Sequence, residues 1–257
     1  MRSRTWSNRC LAKMGGTLTF RFAFSITLLA IVLCPRHSAA QRGKEATSKV
    51  DKFTTVYGAK IHYVEAGTGA PLILVHGLAD DVTIWDSVIP ALSARFRVIA
   101  LDQIGFGHSD KPLLNYRYAA LAQAMDPRAL SALRLASRED IQYLGALTFR
   151  EKRFYQDVDA IFKQRVTAGD SYTVAQFLDS MVRGDDTLDN RLHALTRPTL
   201  VVWGRDDKLV PLRFGQRFHQ EIANSQLRII ENCGHLPQLE CPNEFATAVL
   251  QFLNDTR

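Results

Sequence analysis

The sequence predicts an α/β fold: a mostly parallel β-sheet whose strands are buried on both faces, interrupted by a helical cap. Three observations carry this. Short runs that are apolar throughout, Leu72-Ile73-Leu74-Val75, Val98-Ile99-Ala100-Leu101 and Leu200-Val201-Val202-Trp203, lack the alternation of a half-solvated strand. The first two flank a stretch with helical spacing, so a strand, helix, strand unit and a parallel pair follow. Between residues 119 and 197 the pattern turns to Leu, Ala, Met and Phe at helical intervals, broken by Gly145, Gly169 and Gly184.

In chain order, residues 1–40 differ from all that follows. Arg2, Arg4, Arg9, Lys13 and Arg21 precede an apolar run from Phe22 to Cys34, and Ser38-Ala39-Ala40 lies before Gln41. Basic, apolar and small residues in that order read as a signal peptide cut after Ala40, which implies an exported, periplasmic or secreted protein; an uncleaved leader that anchors the chain in the membrane is the weaker reading. The chain has 257 residues and a formal net charge of +6. The leader holds six basic residues, Arg36 included, and no acid, so the remainder is close to neutral. No basic face for nucleic acid survives that subtraction.

Phe53–Tyr57 and Lys60–Glu65 alternate around Gly58 and predict an antiparallel hairpin of two edge strands. The run Leu72–Val75 ends at His76-Gly77, and a single helix is expected over Val82–Ala94 from the spacing of Trp85, Val88, Ile89 and Leu92. After the next strand comes the turn Gly105-Phe106-Gly107-His108-Ser109-Asp110, with Asp102 before it. Loops at the carboxyl ends of parallel strands build active sites. Beyond the cap, the strand Leu200–Trp203 leads to Gly204-Arg205-Asp206-Asp207. A helix over Phe214–Ala223, a strand over Leu227–Ile230, the turn Cys233-Gly234-His235 and a helix over Pro242–Leu253 follow.

These segments together resemble the α/β-hydrolase superfamily. PLILVHG resembles the family's third strand and oxyanion turn, ALDQIGFGHSDKP the loop after its fourth strand, TLVVWGRDDKLVP its seventh strand and acid turn, and ENCGHLPQLECP its histidine loop. The resemblance implies Asp207, third after the glycine, as the acid and His235 as the base. A histidine base is held in one tautomer by a carboxylate that accepts its other N–H. Gly77 and Leu78 are implied as the oxyanion hole, with the Leu78 N–H facing the developing charge. The implied chemistry is cleavage of ester or carbon–carbon bonds in a small molecule through an acyl-enzyme, without cofactor or metal. The turn lacks the HGxP pattern of epoxide hydrolases.

One family element is missing from the text: no G-x-S-x-G nucleophile elbow is present. Ser109 and Ser171 come nearest, but neither has a strand before it and a helix after it. The implied organisation is a leader over 1–40, a first half of the core over 41–118, a cap over 119–197 and a second half over 198–257. The family's central fifth strand, the elbow and the sixth strand are absent near Tyr118. An internal deletion, a non-catalytic ligand- or partner-binding relative, or a nucleophile from elsewhere are the explanations, and an aspartate nucleophile acting on epoxides or halides stays open. Among single residues, His76, Asp102 and Ser109 are expected to brace loops, His108 to face the pocket at most, and Asp206 to be solvated. His62, His193 and His219 show no ligand spacing. Cys233 and Cys241 flank His235, and two partly buried thiols is the reading preferred to a bridge.

Overall fold

A computed structural model of the protein describes residues 48–116, 127–134, 137–184, 188 and 191–256; the leader expected over 1–40 lies outside them. In chain order the strands are β1 (Val50–Val56), β2 (Ala59–Ala66), β3 (Ala70–Val75), β4 (Phe96–Leu101), β5 (Thr199–Gly204) and β6 (Ser225–Ile230). The α-helices are α1 (Ile89–Ser93), α2 (Pro127–Ala132), α3 (Arg138–Thr148), α4 (Val158–Ala168), α5 (Ser171–Arg183), α6 (Leu212–Glu221), α7 (Pro237–Glu240) and α8 (Pro242–Asp255).

β1 and β2 form the expected hairpin, with Phe53 opposite His62. Of these two strands only β1 is at an edge: β2 also pairs antiparallel with β4, and β4 pairs parallel with β3. β5 and β6 are parallel, with Val202 opposite Arg228. The strands therefore form two sheets, β1-β2-β4-β3 and β5-β6, and among the described residues no strand joins β3 to β5.

Both faces of β5 are covered, as its unbroken apolar run requires. Leu200 and Val202 share a core with Leu72 and Leu74 of β3 and with Val249, Phe252 and Leu253 of α8. Val201 and Trp203 pack instead with Phe214 and Phe218 of α6 and with cap residues Ala129 and Leu144. The two sheets are thus held through side chains and α8, not through a continuous ladder.

Two expectations are corrected. The stretch Val82–Ala94 is not one helix but a 3₁₀ turn over Val82–Trp85 followed by α1. Pro90 sits in the first turn of α1, where its missing N–H costs nothing; inside a continuous helix it would remove a bond and clash with the preceding turn. Gly145 is not a break either. It lies within α3, where the Tyr155 ring packs against it so closely that a Cβ would collide with the ring. Gly169 and Gly184 do end α4 and α5, each in the left-handed conformation.

Candidate active site

The carboxyl end of β3 passes into His76-Gly77-Leu78-Ala79-Asp80. His76 is buried and bridges loops: its Nδ1 lies 2.7 Å from the Gly77 carbonyl, and its Nε2 accepts the Gln103 N–H at 3.0 Å. Burial holds its pKa below the usual histidine value, against the pull of the Gly77 carbonyl. Ala79 adopts φ 64°, an uncommon conformation for a residue with a Cβ, so the turn is held by its surroundings. The Leu78 N–H has no hydrogen-bond partner among the described residues, and Leu78 lines a cavity of about 660 Å³. An unpaired N–H on a residue that lines a cavity is available to an oxyanion.

Asp102, fully buried at the end of β4, braces the glycine-rich loop. Its carboxylate accepts the N–H groups of Val82 and His108, each at 2.8 Å, and lies 2.7 Å from His62 Nδ1. Ser109 donates to the Asp102 carbonyl and accepts from the His62 N–H, so it is part of the same brace. His62, Asp102 and His108 come together closely enough to suggest a metal cluster. The Asp102 oxygens are already occupied by these donors, and the arrangement is complete as a hydrogen-bond network. His108 is largely exposed on the cavity rim.

β5 and β6 deliver the acid and the histidine. Gly204 ends β5 where the carbonyls of Cys233 and Gly234 press against it, leaving no room for a Cβ; this brings the two loops together. One Asp207 oxygen accepts the N–H groups of Leu209, at 3.0 Å, and Val210, at 2.8 Å. The other lies 2.8 Å from His235 Nδ1. Both residues are buried at 7 % exposure, so the pair sits where its charge interaction is little screened. Burial alone would lower the His235 pKa. The Asp207 carboxylate, by charge and hydrogen bond, and more distantly Asp80 and Glu240 outweigh it and raise the pKa above the ordinary value. Asp206 points elsewhere, to an exposed ion pair with Arg150.

The cap closes on the histidine loop directly. His235 N–H donates to the Thr148 carbonyl at 2.7 Å, and Glu240 accepts from the N–H groups of both Gly234 and Arg150. Cys233 and Cys241 are joined in a disulfide, contrary to the preferred reading of two thiols. β6 and α7 place their Cα atoms 6.3 Å apart, within the range a bridge needs, which spacing in sequence does not reveal. Among the described residues no hydroxyl or thiol is hydrogen-bonded to His235. Ser109 is committed to the Asp102 brace and Ser171 opens α5.

Asp80, Arg165 and Gln238 also line the cavity and were not evident in the sequence. The only available signal for Asp80 was an acid pair directly after the His76-Gly77 turn. Arg165 and Gln238 carried none, because cap and loop reach the cavity only on folding. No helix of the described residues is long and apolar enough to cross a membrane.

The geometry agrees with known proteins. Residues 70–146 match a family model described as alpha/beta hydrolase fold, and residues 119–248 match one described as Alpha/beta hydrolase family. The chain is 28% identical over 270 residues to a 2-hydroxy-6-oxo-6-(2'-aminophenyl)hexa-2,4-dienoic acid hydrolase of Metapseudomonas resinovorans, covering 82% of this chain and 93% of that protein. A serine hydrolase involved in carbazole degradation superposes with a TM-score of 0.61 at 28% identity, over 80% of this chain and 99% of that one. A membrane phospholipase A shares the fold, with a TM-score of 0.67 at 22% identity over 81% of this chain and 87% of that one.

Proposed function

Because the chain belongs to the alpha/beta hydrolase family, we propose that it retains that family's small-molecule carbonyl site, of ester or carbon–carbon hydrolase type, without the serine that would attack. His235 is the base, Asp207 orients it, and the Leu78 N–H, with Gly77 giving close backbone access, faces the oxyanion. The observation that carries the reading is the buried Asp207–His235 pair opening on the same cavity as the unpaired Leu78 N–H.

In the complete reaction a hydroxyl attacks the carbonyl carbon and gives its proton to His235. His235 then returns a proton to the leaving group, and water releases the acyl group by the reverse sequence. Here the first actor is missing. Two facts support loss of an internal segment. Among the described residues β3 and β5 each pair with a strand on one side only. The 270 aligned positions of the dienoic acid hydrolase occupy only 82% of this chain. About 60 positions of the alignment therefore have no counterpart here, the length of two strand–helix–strand steps at about 30 residues each. The chain accordingly binds carbonyl compounds and turns them over poorly.

We also propose that residues 1–40 direct export, since the Cys233–Cys241 disulfide suits an oxidising compartment.

The test combines a fluorophosphonate probe, a short-chain aryl ester and a 2-hydroxy-6-oxo-dienoate. The native chain is expected to take no label and to show activity lower by about 10⁶ than a complete relative, the order of loss seen when a serine nucleophile is removed. Inserting the relative's elbow segment after Tyr118 is expected to restore labelling and turnover, both abolished by His235→Ala. A native chain that is labelled stoichiometrically on one of its own serines overturns the reading.

A further inference from the structure

Five side chains lining the cavity carry formal charge besides its histidines: Asp80, Asp81, Lys111, Arg165 and Asp170. Four of them are engaged. Asp81 accepts the Thr83 N–H and hydroxyl. Arg165 gives one terminal nitrogen to Asp170 at 2.8 Å and the other to the Ala79 carbonyl at 3.0 Å. Both terminal nitrogens are thus anchored to the protein, and the Nε is buried without a partner. Lys111 is held by the carbonyls of Gly107 and Ser109. Asp80 alone has no hydrogen bond or ion pair among the described residues.

Its position is informative. A Cβ built on Gly77 would lie 3.4 Å from Asp80 Oδ2, so the carboxyl hangs beside the backbone of the oxyanion turn. His235 and Arg165 approach it from the histidine loop and from α4, and Asp81 adjoins it in its own turn. A carbonyl oxygen seated against the Leu78 N–H brings the neighbouring atoms of its molecule alongside Asp80. A half-buried acceptor without a partner is costly unless a donor arrives.

We propose that Asp80 determines the specificity of this carbonyl site: its carboxylate receives a hydrogen-bond donor, an ammonium or hydroxyl group within a few bonds of the bound carbonyl, and turns away molecules that carry a carboxylate there. The proposal rests on the carbonyl site described above but not on turnover. Burial, with Asp81 adding to it and His235 and Arg165 opposing, pushes the Asp80 pKa up to about 6, so the selecting charge is present at neutral pH and fades in mild acid.

The experiment measures binding of three stable carbonyl probes to the purified full-length mature protein by calorimetry. They are the N-benzyl amides of β-alanine and of propanoic acid, and the N-benzyl half-amide of succinic acid, which share one skeleton and end in ammonium, methyl and carboxylate. At about pH 8 the ammonium amide is expected to bind about tenfold or more tightly than the propanamide, and the succinamate more weakly than either. At about pH 5, where roughly nine-tenths of Asp80 is protonated, most of the ammonium preference disappears. In Asp80→Asn the ammonium preference is absent at both pH values while propanamide affinity is retained. That variant separates Asp80 from His235, the other ionisable group near it. A propanamide that binds while the ammonium amide gains nothing, or a preference that survives in Asp80→Asn, overturns the assignment of Asp80 alone. Tighter binding of the succinamate overturns it in favour of Lys111. Binding by none of the three overturns it together with the carbonyl site beneath it, a result the wild-type protein gives without any variant.

Discussion

Replacing Asp80 by asparagine should stabilise this protein, and only above mild acid. The folded-state pKa of about 6 lies above the ordinary 3.8 of the unfolded chain. Such a raised carboxyl leaves folding unpenalised below about pH 4, where it is protonated in both states. The penalty grows between the two values and is complete above about pH 6 to 7. The gap corresponds to about 3 kcal/mol at 1.4 kcal/mol per pH unit. Residual contact with water reduces it, so about 1–3 kcal/mol is expected. Asparagine fills the same volume without the charge. At about pH 8 the variant should therefore melt about 3–10 °C higher than the wild type, since 1 kcal/mol moves a domain of this size by about 2–4 °C. Near pH 4 the two should coincide. Urea or thermal unfolding of both proteins across that range reads the difference directly. A variant that is less stable at pH 8, or a gap that widens toward acid, would refute the reasoning, because either would mean that the Asp80 charge already has a partner. An acid kept unpaired at such a cost beside the oxyanion turn is the pattern expected where stability yields to function.

Four further outcomes follow from the geometry. Reducing the Cys233–Cys241 bridge, eight residues apart, should lower stability by about 2–3 kcal/mol on the loop-entropy relation, read as a fall in the urea midpoint with reductant. Asp207→Asn removes the charge and hydrogen bond that outweigh burial at His235; its imidazole pKa, followed by NMR, should drop from above the ordinary value to below it. The same variant should lose stability chiefly below pH 6.5, where the raised His235 pKa favours the folded state, and converge on the wild type as pH rises through that pKa. Among the described residues β3 and β5 pair on one side only, so hydrogen exchange should find their amides less protected than those of β4, which is paired on both sides.

The meeting of Asp207 with His235 and the turn at Gly77 and Leu78 were legible because each follows the carboxyl end of a strand, where a few residues fix both backbone course and side-chain direction. Asp207 was separable from Asp206 only through the family order, and the structure gives the reason. Asp207 turns inward to cap the Leu209 and Val210 amides, whereas Asp206 meets Arg150 in solvent. The break before α1 was missed because Trp85, Val88, Ile89 and Leu92 are all buried and satisfy a helical period on either side of Pro90. Asp80 was invisible for a different reason. In the sequence it is one more acid in a turn, and its environment is assembled from residues more than 80 positions away in α4 and the histidine loop.

The split sheet and the intact pair have to be understood together. Asp207 and His235 are both carried by β5 and β6, a parallel pair that needs nothing from the first sheet to set its own loops. Gly204 against the Cys233 and Gly234 carbonyls, the disulfide, and Glu240 clamping Gly234 to the cap fix those loops locally. The turn at Gly77 and Leu78 is held likewise by β3, β4, the Asp102 brace and the Arg165 bond to the Ala79 carbonyl. What the middle of the sheet would contribute is the relative placement of these two halves, and here that placement falls to the shared core in which Val249, Phe252 and Leu253 of α8 join Leu72 and Leu74 of β3 and Leu200 and Val202 of β5. Each half of the site can therefore hold its own geometry with no strand between them among the described residues, while the distance from the Leu78 N–H to His235 is set by side-chain packing and not by hydrogen-bonded register. Packing specifies such a distance less sharply than a ladder does. Binding of a carbonyl compound tolerates that looseness far better than transition-state stabilisation, which falls steeply with misplacement of about an ångström.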